Sequence, residues 1–217
     1  MGGEMSAWRR ADRDERGMTL VELLVAMSIM SIVLLVFSTV LSSVQRGVVT
    51  QDKLNQNLDQ VHLAVQELDR ELRSGNVLYD PMLENGSGAG GLTSCDGCVS
   101  GYTLRVYAQN NGVPGCVLWK VDDQRRLMTR SWPPNQPDAA GSWRVVATDV
   151  VNQDLGAYAF QLDPDPLKGG RTLDLLFAVN GDLVRRPNQT VRIQASLTGR
   201  NTSYGYPANV CSAVPAN

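Results

Sequence analysis

Residues 16–41 read RGMTLVELLVAMSIMSIVLLVFSTVL, and how this stretch is understood decides the rest of the chain. From Leu23 to Val44 no side chain is charged, and Leu, Val, Ile, Met and Phe dominate. That length matches the roughly 20 apolar residues a helix needs to cross a bilayer core. Ahead of it stand Arg9, Arg10, Arg13 and Arg16. Orientation follows Lys and Arg rather than net charge, so the interspersed Glu4, Asp12, Asp14 and Glu15 do not reverse the signal. The N-terminus is expected to stay in the cytoplasm, and everything after Val44 to be exported.

Glu22 does not fit a plain anchor, because an ionisable group at bilayer depth is costly and asks for a named partner. A cleavable secretory signal does not fit either. Its apolar region normally runs about 7–15 residues and ends in a small-x-small site, whereas this run is longer and no such site follows. Proteolysis between Gly17 and Met18 would supply the partner. It would create an α-amino group at Met18, four residues and about one helical turn from Glu22. That amine is positive at neutral pH, and a helix N-terminus itself favours a nearby carboxylate.

Gly17-Met18-Thr19-Leu20-Val21-Glu22, after a short charged leader and before an unbroken apolar helix, resembles the class III signal of type IV prepilins and of the pseudopilins of type II secretion. The resemblance implies that a prepilin peptidase cuts after Gly17 and methylates Met18, where the family usually has Phe. It implies that Glu22 brings subunits into register in a helical filament. The partners it implies are the peptidase, other pilin or pseudopilin subunits, and an assembly platform in the cytoplasmic membrane. The domain division is then a cleaved leader over 1–17, a transmembrane and filament-core helix over 18–44, and an exported pilin-like head over 45–217.

Between Thr19 and Ser74 only Gly47 weakens a helix, by about 1 kcal/mol against Ala, so the membrane helix is expected to run on for about 55 residues, or about 80 Å. Leu54, Leu58, Val61, Val65, Leu68 and Leu72 form one apolar stripe. Asp69 with Arg73, and Glu67 with Arg70, stand at helical spacings outside it. Gly75-Asn76 supplies the stop. A Gly- and Ser-rich loop is expected from Pro81 to Gly101.

Alternating strands follow. In YTLRVYA (102–108), Tyr102, Leu104 and Val106 share one face while Thr103, Arg105 and Tyr107 share the other. In TVRIQASLTGR (190–200), Val191, Ile193, Ala195 and Leu197 oppose Arg192, Gln194, Ser196 and Thr198. CVLWKV and RLMTRSW flank a hairpin at Asp122-Asp123-Gln124, and RTLDLLFAV ends at the tight-turn dipeptide Asn180-Gly181. One-sided strands need a cover, and the long helix is the available one, so the expected fold is α+β: a long N-terminal helix packed on an antiparallel sheet. The helix end QELDRELRSG, the Leu127-x-x-Arg130-x-Trp132 hairpin, the Trp143 strand before AFQL and the final VRIQASLTGRN are similar to minor pilins of the W type and minor pseudopilins of the J type.

The chain has 217 residues and a net charge of -2, room for one domain with an appendage, and no basic face to grip nucleic acid. Cys95, Cys98, Cys116 and Cys211 lie on the exported side, where disulfides persist. Three connectivities are open. Cys95 with Cys98 and Cys116 with Cys211 is the expected one, since the second bridge would tie the C-terminal tail to the sheet. A thiol redox centre at Cys95-x-x-Cys98 is the rival reading, yet such pairs sit at helix N-termini, and this one sits in a Gly-rich loop. An anchored sensor or binding module is the other rival. Scattered cysteines make a weak zinc set, Asp163-Pro-Asp165 reads as a solvated turn rather than a calcium loop, and His62 has no second histidine with which to build a triad. No enzyme activity, metal or cofactor is expected.

Overall fold

The computed structural model describes residues 19–85, 97–110, 112–165, 170–199 and 209–215. Gly17, Met18 and Cys95 lie outside the described residues. The chain divides into two compact units, Met1–Val49 and Thr50–Asn217.

One helix, α1, runs from Leu20 to Ser74, and Gly47 does not interrupt it. Its first part, in the N-terminal unit, exposes its large apolar side chains; Leu35 is 68% exposed and Phe37 62%. Ser28, Ser31 and Ser42 turn their hydroxyls back to the carbonyls of Leu24, Met27 and Ser38. These hydroxyls are thereby satisfied within the helix, which a water-free surround would require.

In the second unit α1 presents its stripe to the sheets. Val61, Ala64, Leu68 and Leu72 are buried, and Leu54, Leu58 and Val65 pack partly buried against the same core. Each fully buried Val or Leu contributes about 1.5–3 kcal/mol. The helix gives way directly to a strand. A Cβ at Gly75 would stand 3.0 Å from the Leu72 carbonyl and 3.1 Å from Val106 Cγ1, so only glycine lets the chain turn there without displacing its neighbours.

The strands form two antiparallel sheets. The first holds five strands in sequence order: β1 (Gly75–Leu78), β2 (Thr103–Asn110), β3 (Val113–Val121), β4 (Leu127–Trp132) and β5 (Arg144–Ala147). The second holds β6 (Phe160–Leu162), β7 (Thr172–Val179) and β8 (Val191–Thr198). The α+β expectation therefore holds, with the strands divided between two sheets. The link between them is fixed by Asn152, fully buried, whose amide donates to the carbonyls of Ala157 and Leu176 and accepts from the Ala178 N–H.

The β3–β4 turn is organised by Asp122, whose carboxylate accepts from the backbone N–H groups of Gln124 and Arg126. Asn180-Gly181 departs from expectation. It ends β7 but makes no two-residue hairpin; the connection to β8 runs to Thr190. The Asn180 amide donates to the Arg186 carbonyl and Thr190 Oγ1, and its oxygen accepts from the Asp182 N–H. The side chain that a tight turn would leave free is used to staple a longer loop. Part of the stretch read as a loop is also ordered: Pro81–Leu83 is a 3-10 turn capped by Asp80, and Glu84 beside it is buried.

The first sheet is covered on both faces. Leu104, Val106, Val117, Trp119, Val121 and Leu127 belong to the core under α1. Tyr107, Cys116, Leu118 and Trp132 point the other way and form a second cluster with Tyr79, Cys98, Cys211 and Val214. The helix alone was the expected cover, and the C-terminal segment supplies this second one.

Candidate functional site

The start of α1 is where the sequence places its chemistry. Thr19 stands just outside the first helical residue, Leu20. Its N–H and its hydroxyl both donate to Glu22 Oε2, at 3.0 and 3.1 Å, and the Glu22 N–H donates back to Thr19 Oγ1 at 3.3 Å. This is a capping box. Thr at the cap and Glu three residues on satisfy each other's otherwise orphaned N–H groups. The carboxylate also stands against the positive end of the helix dipole. Its second oxygen, Oε1, accepts from no described residue.

The geometry answers how an acid is accommodated at the head of an apolar helix. The apolar first part of α1 is exposed, and the helix is long and apolar enough to cross a membrane. Glu22 is the acid in its first turn. The signal for the cap, Thr-x-x-Glu at Thr19 and Glu22, is visible in the sequence, beside the assembly role expected for Glu22.

Residues 12–38 match the prokaryotic N-terminal methylation motif. The matched stretch contains Gly17, Met18, Thr19 and Glu22 together with the beginning of the apolar helix, and it supports a type IV pilin-like precursor. The motif implies processing by a prepilin peptidase, and an apolar helix following it suggests a membrane anchor. No curated protein and no solved structure matches the chain.

The head carries the remaining candidates. Cys116 and Cys211 form a disulfide, 5.7 Å between Cα atoms and 95 residues apart in sequence. Cys98 is also disulfide-bonded and is buried. The bridged tail is bound through its backbone at alternate residues. The Cys211 carbonyl accepts from Arg105 Nη1 at 2.6 Å, the Ala213 carbonyl from Trp132 Nε1 at 3.1 Å, and the Pro215 carbonyl from Arg130 Nη2 at 2.6 Å. The Cys211 N–H donates to the Tyr79 hydroxyl.

Arg105 is wholly buried, and Glu84 Oε1 accepts from both its Nε and Nη2, at 3.1 and 2.9 Å. Burial pushes the Glu84 carboxyl up against the pull of that guanidinium. Removing one member of such a pair leaves an uncompensated buried charge. Trp132 therefore serves packing and tail binding together, whereas Trp143 is half-buried beneath Lys120 and Arg130, whose cationic groups lie 4.3 and 4.7 Å from its ring.

Two more head groups matter. Glu71 on α1 is buried, and its Oε2 accepts from Trp119 Nε1 at 2.6 Å. Desolvation raises its pKa to about 7, with the Trp119 hydrogen bond opposing and the Glu67 charge assisting. Glu67 does not pair with Arg70 as its helical spacing suggested. It reaches Arg144 on β5, bonding α1 to the sheet edge. Asp69 and Arg73 do pair, at 2.7 Å. Asp163 accepts from the Asp165 N–H in a turn, and His62 is exposed.

Proposed function

We propose that the chain is a minor type IV pilin or pseudopilin, a non-enzymatic structural subunit held in the cytoplasmic membrane and then drawn into a pilus or secretion pseudopilus. The observation that carries this reading is the methylation motif over residues 12–38 leading into an apolar helix whose first turn holds Glu22. The leader stays in the cytoplasm, the peptidase cuts after Gly17 and methylates Met18, and the head is exported with its cysteines.

The capping box gives the mechanism its parts. Before cleavage, Glu22 Oε2 is engaged by Thr19. Cleavage places a cationic amine next to Thr19, within one turn of the carboxylate. Oε1 remains to receive an ammonium group, and in a lipid surround an uncompensated carboxylate drives that pairing strongly. Apolar helices of neighbouring pilin or pseudopilin subunits can then bundle once an assembly platform brings them together, with charge matched at their ends.

Mass spectrometry of the protein from its native host tests the first step. A mature chain starting at Met18 and carrying one extra methyl group is expected. A chain that keeps its leader in cells containing the peptidase overturns the reading.

A further inference from the structure

The outer face of the second sheet carries an open groove of about 520 Å³, lined by Tyr158, Gln161, Asp174, Leu176, Gln194 and Ser196 among others. Strand register sets Gln161, Asp174 and Ser196 side by side across β6, β7 and β8, with Leu176 beside Gln194 in the next row of the same face. Adjacent strands lie about 4.8 Å apart, so three hydrogen-bonding side chains stand in a short row with Leu176 beside them.

The aromatic that lines the groove, Tyr158, is held in place. Gly101 has a φ of 74°, and a Cβ there would stand 2.4 Å from Tyr158 Cδ1, so the ring lies directly on the glycine backbone. That backbone is fixed in turn. The Gly101 carbonyl accepts from the N–H groups of Ala159 and Phe160, and its N–H donates to the Pro81 carbonyl. Tyr102 meets the Tyr158 ring edge-on at 5.9 Å between centroids. Despite these contacts Tyr158 remains 45% exposed. It is an aromatic surface presented to solvent in one orientation, and a ligand does not have to order it.

Charge and hydrogen-bonding type select the occupant. Among the described residues that line the groove the one formal charge is Asp174, and its Oδ1 already accepts the Ser196 hydroxyl. Two glutamine amides and a serine hydroxyl offer donors and acceptors together. A polyanion would be repelled by Asp174, and an apolar helix would leave these polar groups without partners. A neutral polyhydroxyl chain matches throughout: each hydroxyl both donates and accepts, and its C–H faces pack on an aromatic ring. We propose that this groove binds a neutral oligosaccharide, with Tyr158 as the stacking platform and Gln161, Asp174 and Gln194 as the hydroxyl-reading groups. The proposal does not rest on assembly into a filament.

Saturation-transfer NMR on the full chain in lipid nanodiscs tests it, with maltotriose, cellotriose and chitotriose as neutral probes, and an oligogalacturonate and a lysine-rich peptide as charged ones. At least one neutral trisaccharide should receive saturation on its ring protons. Tyr158→Ala and Asp174→Asn should each weaken binding about tenfold, the scale of one lost aromatic or hydrogen-bonding contact. Gln194→Ala, an exposed change that spares the core, should weaken it with no change in melting temperature. Absence of transfer to all three sugars, preference for either charged probe, or sugar binding unchanged in all three variants overturns the proposal.

Discussion

Glu22 and Glu71 stand on one helix, and the protein uses the two acids in opposite ways. Glu22 lies among exposed apolar side chains, joined to its own helix start by Thr19. Glu71 lies between Leu68 and Leu72 of the buried stripe, under the Trp119 indole. The first carboxylate has settled its local hydrogen bonds through Oε2, and its Oε1 accepts from none of the described residues. The second has its partner inside the head and is held near neutrality by desolvation. An acid in an apolar setting is therefore not one kind of signal: its meaning depends on whether the surrounding apolar surface is finished or waiting for neighbours.

The sharpest way to break this contrast is Glu22→Ala. Under the proposed function the variant inserts in the membrane and its head melts at the wild-type temperature, yet it is lost from filaments, read by immunoblot of sheared surface fractions. Normal incorporation would mean that Glu22 is only a cap. Thr19→Ala separates the two roles, because it removes the cap and leaves the carboxylate. It should reduce incorporation less than Glu22→Ala does.

The next effect belongs to the head alone. Replacing Cys116 and Cys211 together by Ser opens a loop of 95 residues and should cost about 2–5 kcal/mol in denaturant unfolding. Hydrogen exchange should then show the first loss of protection around residues 209–215. An unchanged unfolding midpoint would show that the carbonyl contacts from Arg105, Trp132 and Arg130 hold the tail without the bridge.

Much of this architecture was legible. The alternating spacing of Leu54 to Leu72 names the face of α1 that packs on the sheets, and the alternation from Val191 to Leu197 orients β8, whose even-numbered positions are exposed. Both rest on local periodicity. What escaped is non-local. Arg105 alternates correctly on the face away from α1, but nothing in YTLRVYA announces that Glu84 and the Cys211 carbonyl converge on it to bury it completely. The covering segment 209–215 has no period to read, because it is bound through its carbonyls, which every sequence has. Asn180-Gly181 shows a local rule losing to a longer loop that needed the same amide. Glu71 escaped because its partner, Trp119, is 48 residues away.

Glu71 also gives the contrast a pH axis. Its folded pKa is raised from 4.5 to about 7, so between these values the native state keeps a proton that the unfolded chain has released. Its contribution to stability is fully present below about pH 4.5 and is lost as pH rises through about 7. The loss is on the order of 3 kcal/mol. Glu71→Gln keeps an acceptor for Trp119 Nε1 and removes the titration. The variant should therefore be more stable than wild type at pH 8, and the gap should close by pH 5, read as unfolding midpoints in urea. A wild-type curve parallel to that of the variant would place Glu71 in water.

The smallest change tests the surroundings of that acid. Arg144 on β5 pairs with Glu67 where both side chains are partly exposed, 54% and 34%, and screening limits such a pair to about 0.5 kcal/mol. Arg144→Met should accordingly move the unfolding midpoint little at pH 5. It should act more visibly on the titration, because Arg144 lowers the pKa of Glu71 while Glu67 raises it. Without the arginine, only Arg70 and the Trp119 hydrogen bond still oppose the Glu67 charge beside Glu71, and the pH at which the head loses stability shifts upward. In Arg144→Met combined with Glu71→Gln that shift should vanish while the small cost at pH 5 remains. A shift persisting in the double variant would assign the pH dependence to another group and end the contrast between the two acids of α1.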